Sequence, residues 1–216
     1  SKGTFYIGGG GNGGLMTFNP DKETFKIYRH LVNDPNSPSG EGVQNFLESK
    51  NARLPDGQGV IWFCTTGGVN AFDPLTEKFR AFTTKDGLCS NSVGSIVADN
   101  AGNYWLGTPN GLSCFTPPEN PFDSNSKFHF RNYNKSDGLP GNAMALSAAY
   151  KDADGKLYFG TESPGFFCFR PEDLKDNSFE PPVYITDLKL FNTSIRPHDA
   201  DSIFLTQQIT LSYNQN

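Results

Sequence analysis

The side chains of this 216-residue chain with the most chemistry to offer are three histidines (His30, His129, His198), four cysteines (Cys64, Cys89, Cys114, Cys168) and two tryptophans (Trp62, Trp105). None falls into a reactive pattern. The histidines are scattered, without a partner at metal-ligand spacing. No serine lies in a nucleophile elbow and no glycine-rich loop precedes a helix. Gly8 to Gly14 is rich in glycine but joins two apolar runs, as a hairpin does, so phosphate binding is not expected there. Asp152-Ala153-Asp154-Gly155 has the opening of a calcium loop, yet Leu157 stands where an EF-hand needs its Gly and Ser163 where it needs its Glu. No metal and no cofactor are expected, and no pair of acids stands out for glycoside cleavage.

The elements that would carry these residues are repeats. Tyr104-Trp105-Leu106-Gly107-Thr108, then Pro109-Asn110-Gly111, then Leu112-Ser113-Cys114-Phe115-Thr116-Pro117 reads as two short antiparallel strands. Asn110-Gly111 is a hairpin signal because both residues tolerate positive φ. Versions recur at Val60–Pro74, at Leu157–Pro171 and at Phe5–Pro20, and the closing Phe-x-Pro returns at Phe18, Phe72, Phe115 and Phe169. Intervals of about 40–55 residues with several short strands in each point to propeller blades rather than helical solenoids. Trp62 and Trp105 share one repeat position with Tyr6 and Tyr158, which favours packing between blades over sugar stacking. Cys114 and Cys168 also share a position, which favours free, buried thiols over disulfides.

Each unit then needs an outer and an inner strand. The outer strands are expected at Phe25–Tyr28, with Phe25 and Ile27 on one face of a half-exposed strand and Lys26 and Tyr28 on the other, at Lys78–Phe82 and at Lys127–Tyr133. Inner strands are expected within Gly42–Leu47, Asp86–Asp99 and Asp137–Leu146, where small residues suit a crowded axis. Asn91 and Asn142 stand at the entrance to two of these inner strands. They are the candidate ligand-binding residues, since side chains there reach the axial opening, and a hydrogen-bonded turn role competes with that reading. The long segment His30–Gly59 is either a surface insertion or a binding loop. The first unit lacks an inner strand and the fourth lacks an outer strand before Glu180, so the chain reads as three to four blades of a propeller that begins upstream. Its end blades are expected to expose strand edges, so that the chain either self-associates through them or is prone to aggregate.

Composition agrees with an all-β protein. Phenylalanine (19), glycine (23) and proline (15) are plentiful, and no amphipathic helix is sustained. A net charge of −5 gives no electrostatic case for nucleic acid or an anionic membrane surface. No apolar run approaches the ~18 residues that span a bilayer, and no signal peptide opens the chain, so a soluble, excised segment is expected.

The pattern Asp-Gly-Leu, Asp-x-x-Gly, Trp-Leu-Gly-Thr-x-x-Gly-Leu and Phe-x-Pro, best carried by Asp86 to Phe115, resembles the two-component regulator propeller repeat. Pro181–Asn192 and Ile209–Asn214 look like the opening of the Ig-like domain that trails such propellers. The resemblance implies residues 1–180 as the C-terminal part of a β-propeller and 181–216 as the truncated start of an Ig-like sandwich. It implies the periplasmic sensor region of a Bacteroides-type hybrid two-component system, an inner-membrane protein. Such a region detects oligosaccharides and signals, as a homodimer, to a histidine kinase. The fragment itself is expected to be no enzyme. The rival readings are a propeller enzyme acting on polysaccharide and a protein-binding scaffold.

Overall fold

The computed structural model describes residues 3–53, 59–163, 165–174, 189–190 and 193–194. The chain divides into two compact units, Ser1–Leu174 and Lys175–Asn216. In the second unit a short hairpin is described, β15 (Lys189–Leu190) with β16 (Thr193–Ser194). The rest of the expected Ig-like strands, over 181–192 and 209–214, lies outside the described residues.

The first unit is a series of antiparallel sheets in which each strand pairs with its neighbour in sequence. Sheet one holds β1 (Phe5–Gly9), β2 (Gly14–Asn19) and β3 (Thr24–Tyr28). Sheet two holds β4 (Asn45–Arg53), β5 (Gly59–Thr65), β6 (Gly68–Phe72) and β7 (Phe79–Phe82). Sheet three holds β8 (Ser95–Ala98), β9 (Tyr104–Thr108), β10 (Gly111–Phe115) and β11 (Arg131–Tyr133). Sheet four holds β12 (Met144–Lys151), β13 (Leu157–Thr161) and β14 (Phe166–Phe169). Among the described residues the first sheet therefore lacks an inner strand and the fourth an outer one, as the repeat count implies.

Three apolar cores lie between consecutive sheets. Leu15 meets Ile61, Phe63, Phe72 and Phe79 between sheets one and two. Trp62, Val69 and Phe82 meet Ile96, Tyr104, Leu106 and Phe115 between two and three. Trp105 and Leu112 meet Met144, Leu157 and Phe159 between three and four. Sheet two is thus covered on both faces, which is why β5 reads Val-Ile-Trp-Phe-Cys without alternation. Sheets stacked face to face in chain order, not closed on themselves, are an all-β, partial propeller arrangement.

The structure revises several boundaries. The first inner strand starts at Asn45, inside the expected segment, while the next two occupy only the end of theirs, starting at Ser95 and Met144, because Asp86-Gly87 and Asp137-Gly138 first close one-turn 3-10 helices. In each, the residue before the turn (Thr83 or Asn134) and its last residue (Asp86 or Asp137) cap one another's amides. The third outer strand is confined to Arg131–Tyr133, while Phe128 and Phe130 reach the core from an unpaired lead-in. Gly111 takes the positive φ of its hairpin (+120°), whereas Asn110 is not among the positive-φ residues. The two-residue loop is Pro109-Asn110, and a proline there keeps φ negative. In β3 the packed side belongs to Tyr28, which meets Phe72 and Phe79, while Phe25 and Ile27 are exposed.

Candidate functional site

The inner strands β4, β8 and β12 lie side by side and enclose a cleft of about 610 Å³. It is lined by Asn45, Phe46 and Glu48 of β4, Ile96 and Val97 of β8, the Asn100–Gly102 turn, and Tyr150 and Lys151 of β12. The three strands are tied at Ser147. Pairing of β12 with β13 slips between Met144 and Ala149, and Ser147 stands in this bulge with φ of +53°. Its amide donates to Gly94 O at 2.9 Å and its hydroxyl to Gln44 O at 2.8 Å, so one residue of sheet four holds sheets two and three. Gly94 permits the approach, because a Cβ there would sit 2.9 Å from Leu146 Cδ2.

The cleft combines aromatic walls with donors and acceptors. Lys151 Nζ donates to Asn100 Oδ1 at 2.9 Å. Burial raises the Tyr104 hydroxyl above its ordinary pKa, so it stays a neutral phenol at physiological pH. Asp99, also at the wall, is occupied: it accepts from Asn103 N at 2.8 Å, Asn103 Nδ2 at 3.0 Å and Trp105 Nε1 at 2.9 Å. Such a lining sets aromatic surface beside hydrogen-bonding groups, as ligand pockets do.

Other clefts lie at the junctions between sheets. One of about 680 Å³ lies between sheets one and two, spanned by the Lys26–Glu77 ion pair, and one of about 410 Å³ lies between sheets three and four. Their presence at two separate junctions fits gaps left where wedge-shaped blades splay outward. The axial cleft draws on three sheets at once.

Asn91 and Asn142 are both exposed and occupy identical turns. Asn91 Oδ1 accepts from Thr84 N and Asn142 Oδ1 from Lys135 N, each at 2.7 Å. Neither lines the axial cleft. The same loop end of the sheets carries polar clusters that residue spacing did not single out. Thr65, Thr108 and Thr161 each donate to the carbonyl of a glycine at or just before the start of the next strand. Ser39 meets Thr65 and Asn70, and Cys89 lies 3.1 Å from Thr108 Oγ1 and 3.0 Å from Ser113 Oγ. The available signal was the Thr preceding each hairpin.

All four cysteines are free. Burial pushes the Cys64 thiol far up, and burial together with the Asp99 charge pushes Cys114 to about 12 despite Arg131. Among the described residues no group of His, Cys, Asp and Glu has the arrangement of a metal site, and no helix is long and apolar enough to cross a membrane.

Comparisons with known proteins agree with this geometry. Residues 87–110 match the family model described as two component regulator propeller. Over 127 residues the chain is 28% identical to histidine kinase P4 of Formosa agariphila, covering 59% of this chain and 8% of that protein. In fold it is similar to the extracellular domain of a B. thetaiotaomicron protein described as a hybrid two component system, with a TM-score of 0.61 and 21% identity over 80% of this chain and 23% of that one. It is also similar in fold to PorZ, a surface component of the type-IX secretion system of Porphyromonas gingivalis, with a TM-score of 0.52 and 19% identity over 77% of this chain and 23% of that one. The chain therefore spans a small part of each relative. It is an all-β, propeller-like domain with one matched regulator propeller repeat, similar in fold to the extracellular domain of a hybrid two-component system.

Proposed function

We propose that this chain is part of the extracytoplasmic ligand-sensing region of a hybrid two-component sensor, that it binds an oligosaccharide, and that it catalyses nothing itself. The observation that carries the reading is the axial cleft, where three sheets supply aromatic walls, a lysine and an amide to one space and where Ser147 of one sheet bonds to the other two. A ligand there touches three rigid bodies at once, so binding biases their relative arrangement, and that bias is the signal. In the whole protein we place this region outside the membrane, in the periplasm, as one half of a homodimer that addresses a histidine kinase. The Ig-like segment over 181–216 would carry the movement onward from the propeller over 1–180.

Asn91 and Asn142 form a second candidate surface. What favours it is that two adjacent blades present the same exposed side chain from the same turn. The test is thermal unfolding of the chain against a panel of neutral oligosaccharides, with Lys151→Ala and Asn91→Ala in parallel. A ligand held only by the native state at ~100 times its Kd adds about 2.7 kcal/mol. Loss of the shift in Lys151→Ala supports the axial cleft, and loss in Asn91→Ala moves the site to the turns. Turnover of a glycan by the purified chain overturns the non-catalytic reading.

A further inference from the structure

The junctions between sheets are built alike but charged differently. Each carries a cation from the outer strand of the earlier sheet, two residues before an aromatic ring over which it stacks: Lys26 over Tyr28 at 5.2 Å, Arg80 over Phe82 at 5.1 Å and Arg131 over Tyr133 at 5.0 Å. Strand register makes the three equivalent, because Tyr28, Phe82 and Tyr133 lie opposite Leu15, Val69 and Leu112, the second residues of β2, β6 and β10. The first two cations are met from the next sheet. Lys26 pairs with the Glu77 carboxylate, in the turn between β6 and β7. Arg80 Nη1 donates to Pro121 O and Asp123 O, both at 2.7 Å, in the long connection between β10 and β11.

The third junction departs from this pattern in two ways. Counted from the Phe-x-Pro at Phe72 and at Phe169, the residue that corresponds to Glu77 is Leu174, so an apolar side chain stands where the first junction has its carboxylate. The positive charge is also larger. Along the lead-in to β11, Phe128 and Phe130 pack in the core between sheets two and three, and Lys127, His129 and Arg131 alternate with them. All three line the cleft of about 410 Å³ between sheets three and four. At the matching positions of the first junction stand Lys22, Thr24 and Lys26. Asp99, which also lines the third cleft, is committed to the N–H groups of Asn103 and Trp105.

We infer that this cleft binds an oxyanion, the carboxylate, sulfate or phosphate group of a ligand, held by Lys127, His129 and Arg131 where the first junction holds the Glu77 carboxylate. The first junction is the internal precedent, since it shows that the cation at this repeat position accepts a carboxylate. Residues two apart on extended backbone stand about 7 Å apart, so a group with several oxygens reaches two of the three side chains at once. Hydrogen bonds between charged partners are the stronger kind. The gap does not depend on where sheet four ends: the equivalent gap at the first junction, with β7 in place, measures about 680 Å³. The site is separate from the axial cleft and stands whether or not that cleft takes a saccharide.

The test is titration calorimetry of the intact 216-residue chain with sodium sulfate, sodium phosphate, glucose sulfate, glucuronate and glucose, at constant ionic strength so that screening is equal throughout. Heat from glucose alone is subtracted as the sugar contribution. The anionic probes are expected to bind the wild type, and Lys127→Glu to weaken them by about tenfold or more. Lys85→Glu makes the same change in net charge from the turn at Thr84–Asp86 and should leave binding intact. Leu174→Glu restores the arrangement of the first junction and should abolish binding, while Leu174→Gln keeps it. Tighter binding of glucose sulfate or glucuronate than of the inorganic salts assigns the anion to a saccharide, and equal binding assigns a free oxyanion. No anion binding by the wild type at about tens of millimolar overturns the inference. So does binding that survives Leu174→Glu, or an equal loss in Lys127→Glu and Lys85→Glu. Lys127 and Lys85 are exposed, each fold is checked by circular dichroism, and Lys127→Gln replaces a glutamate variant that unfolds.

Discussion

At the level of single residues, the informative contrasts lie between positions that the repeat makes equivalent. Trp105 donates its indole N–H to Asp99, while Trp62, at the same position one sheet earlier, is fully buried with Nε1 unpartnered. The cause is local: Ser49 stands where sheet three has Asp99, and its hydroxyl bonds Tyr104 instead. A buried donor without an acceptor costs about 1–3 kcal/mol. Trp62→Phe removes that cost and Trp105→Phe removes a made bond, so urea unfolding should show Trp105→Phe the more destabilising by about 1–3 kcal/mol. The reverse order would mean that Trp62 has a partner. The buried thiols supply a pH dependence. Cys114 titrates near 12 when folded against an ordinary 9.0, and Cys64 is raised further in the same direction. The folded chain therefore holds protons that the unfolded chain releases, so this stabilisation is complete below about pH 9 and is lost as pH rises toward 12. The double variant Cys64→Ala, Cys114→Ala should show a flatter fall in stability across that window, and an unchanged fall would remove the thiols as its cause.

Among the elements, the hairpins and the repeat period were legible in the residues because a blade's middle strands are short, apolar and bounded by Thr and Gly. The inner strands were placed less well. Asp86-Gly87 and Asp137-Gly138 look like strand openings in a linear reading, but a reciprocal cap uses each Asp to close a 3-10 turn first, and pairing starts only at Ser95 and Met144. The axial cleft was not legible, since it is assembled from Glu48, Asn100 and Lys151, one from each of three repeats, with no local spacing to announce it. The hairpin glycines show how tightly neighbouring strands constrain a turn. A Cβ on Gly111 would lie 2.1 Å from Tyr133 O, at a φ of +120°, whereas Gly165 has a similar φ of +125° and nothing within 4 Å. Both substitutions meet backbone strain of roughly 1–2 kcal/mol, and Gly111→Ala must in addition push β11 away. We expect Gly165→Ala to lose about 1 kcal/mol and Gly111→Ala about 3 kcal/mol or more in chemical denaturation. Equal losses would show that β11 yields freely.

For the whole first unit, what decides between a rigid scaffold and a switch is how the sheets are joined at the axis. The faces between sheets are aromatic and aliphatic, and such packing resists small shifts because it is close to crystalline in density. The axial join is different in kind: one hydroxyl and one amide of Ser147 reach two other sheets, from a residue held at a φ of +53°. A polar side chain in the left-handed region costs about 1–2 kcal/mol and its bond to Gln44 returns about 1, so the tie stands near balance. Ser147→Ala keeps the strain and loses the bond, while Ser147→Gly loses both. The expected outcome is that Ala destabilises by about 1 kcal/mol, Gly is close to neutral, and in both the stabilisation by an axial ligand falls, because the cleft no longer has all three walls fixed. If both variants keep the full ligand-induced shift in thermal unfolding, the Ser147 tie is not what fixes the cleft, and the packed faces dominate. A ligand would then move them only by displacing aromatic packing, which predicts a much smaller structural response to binding.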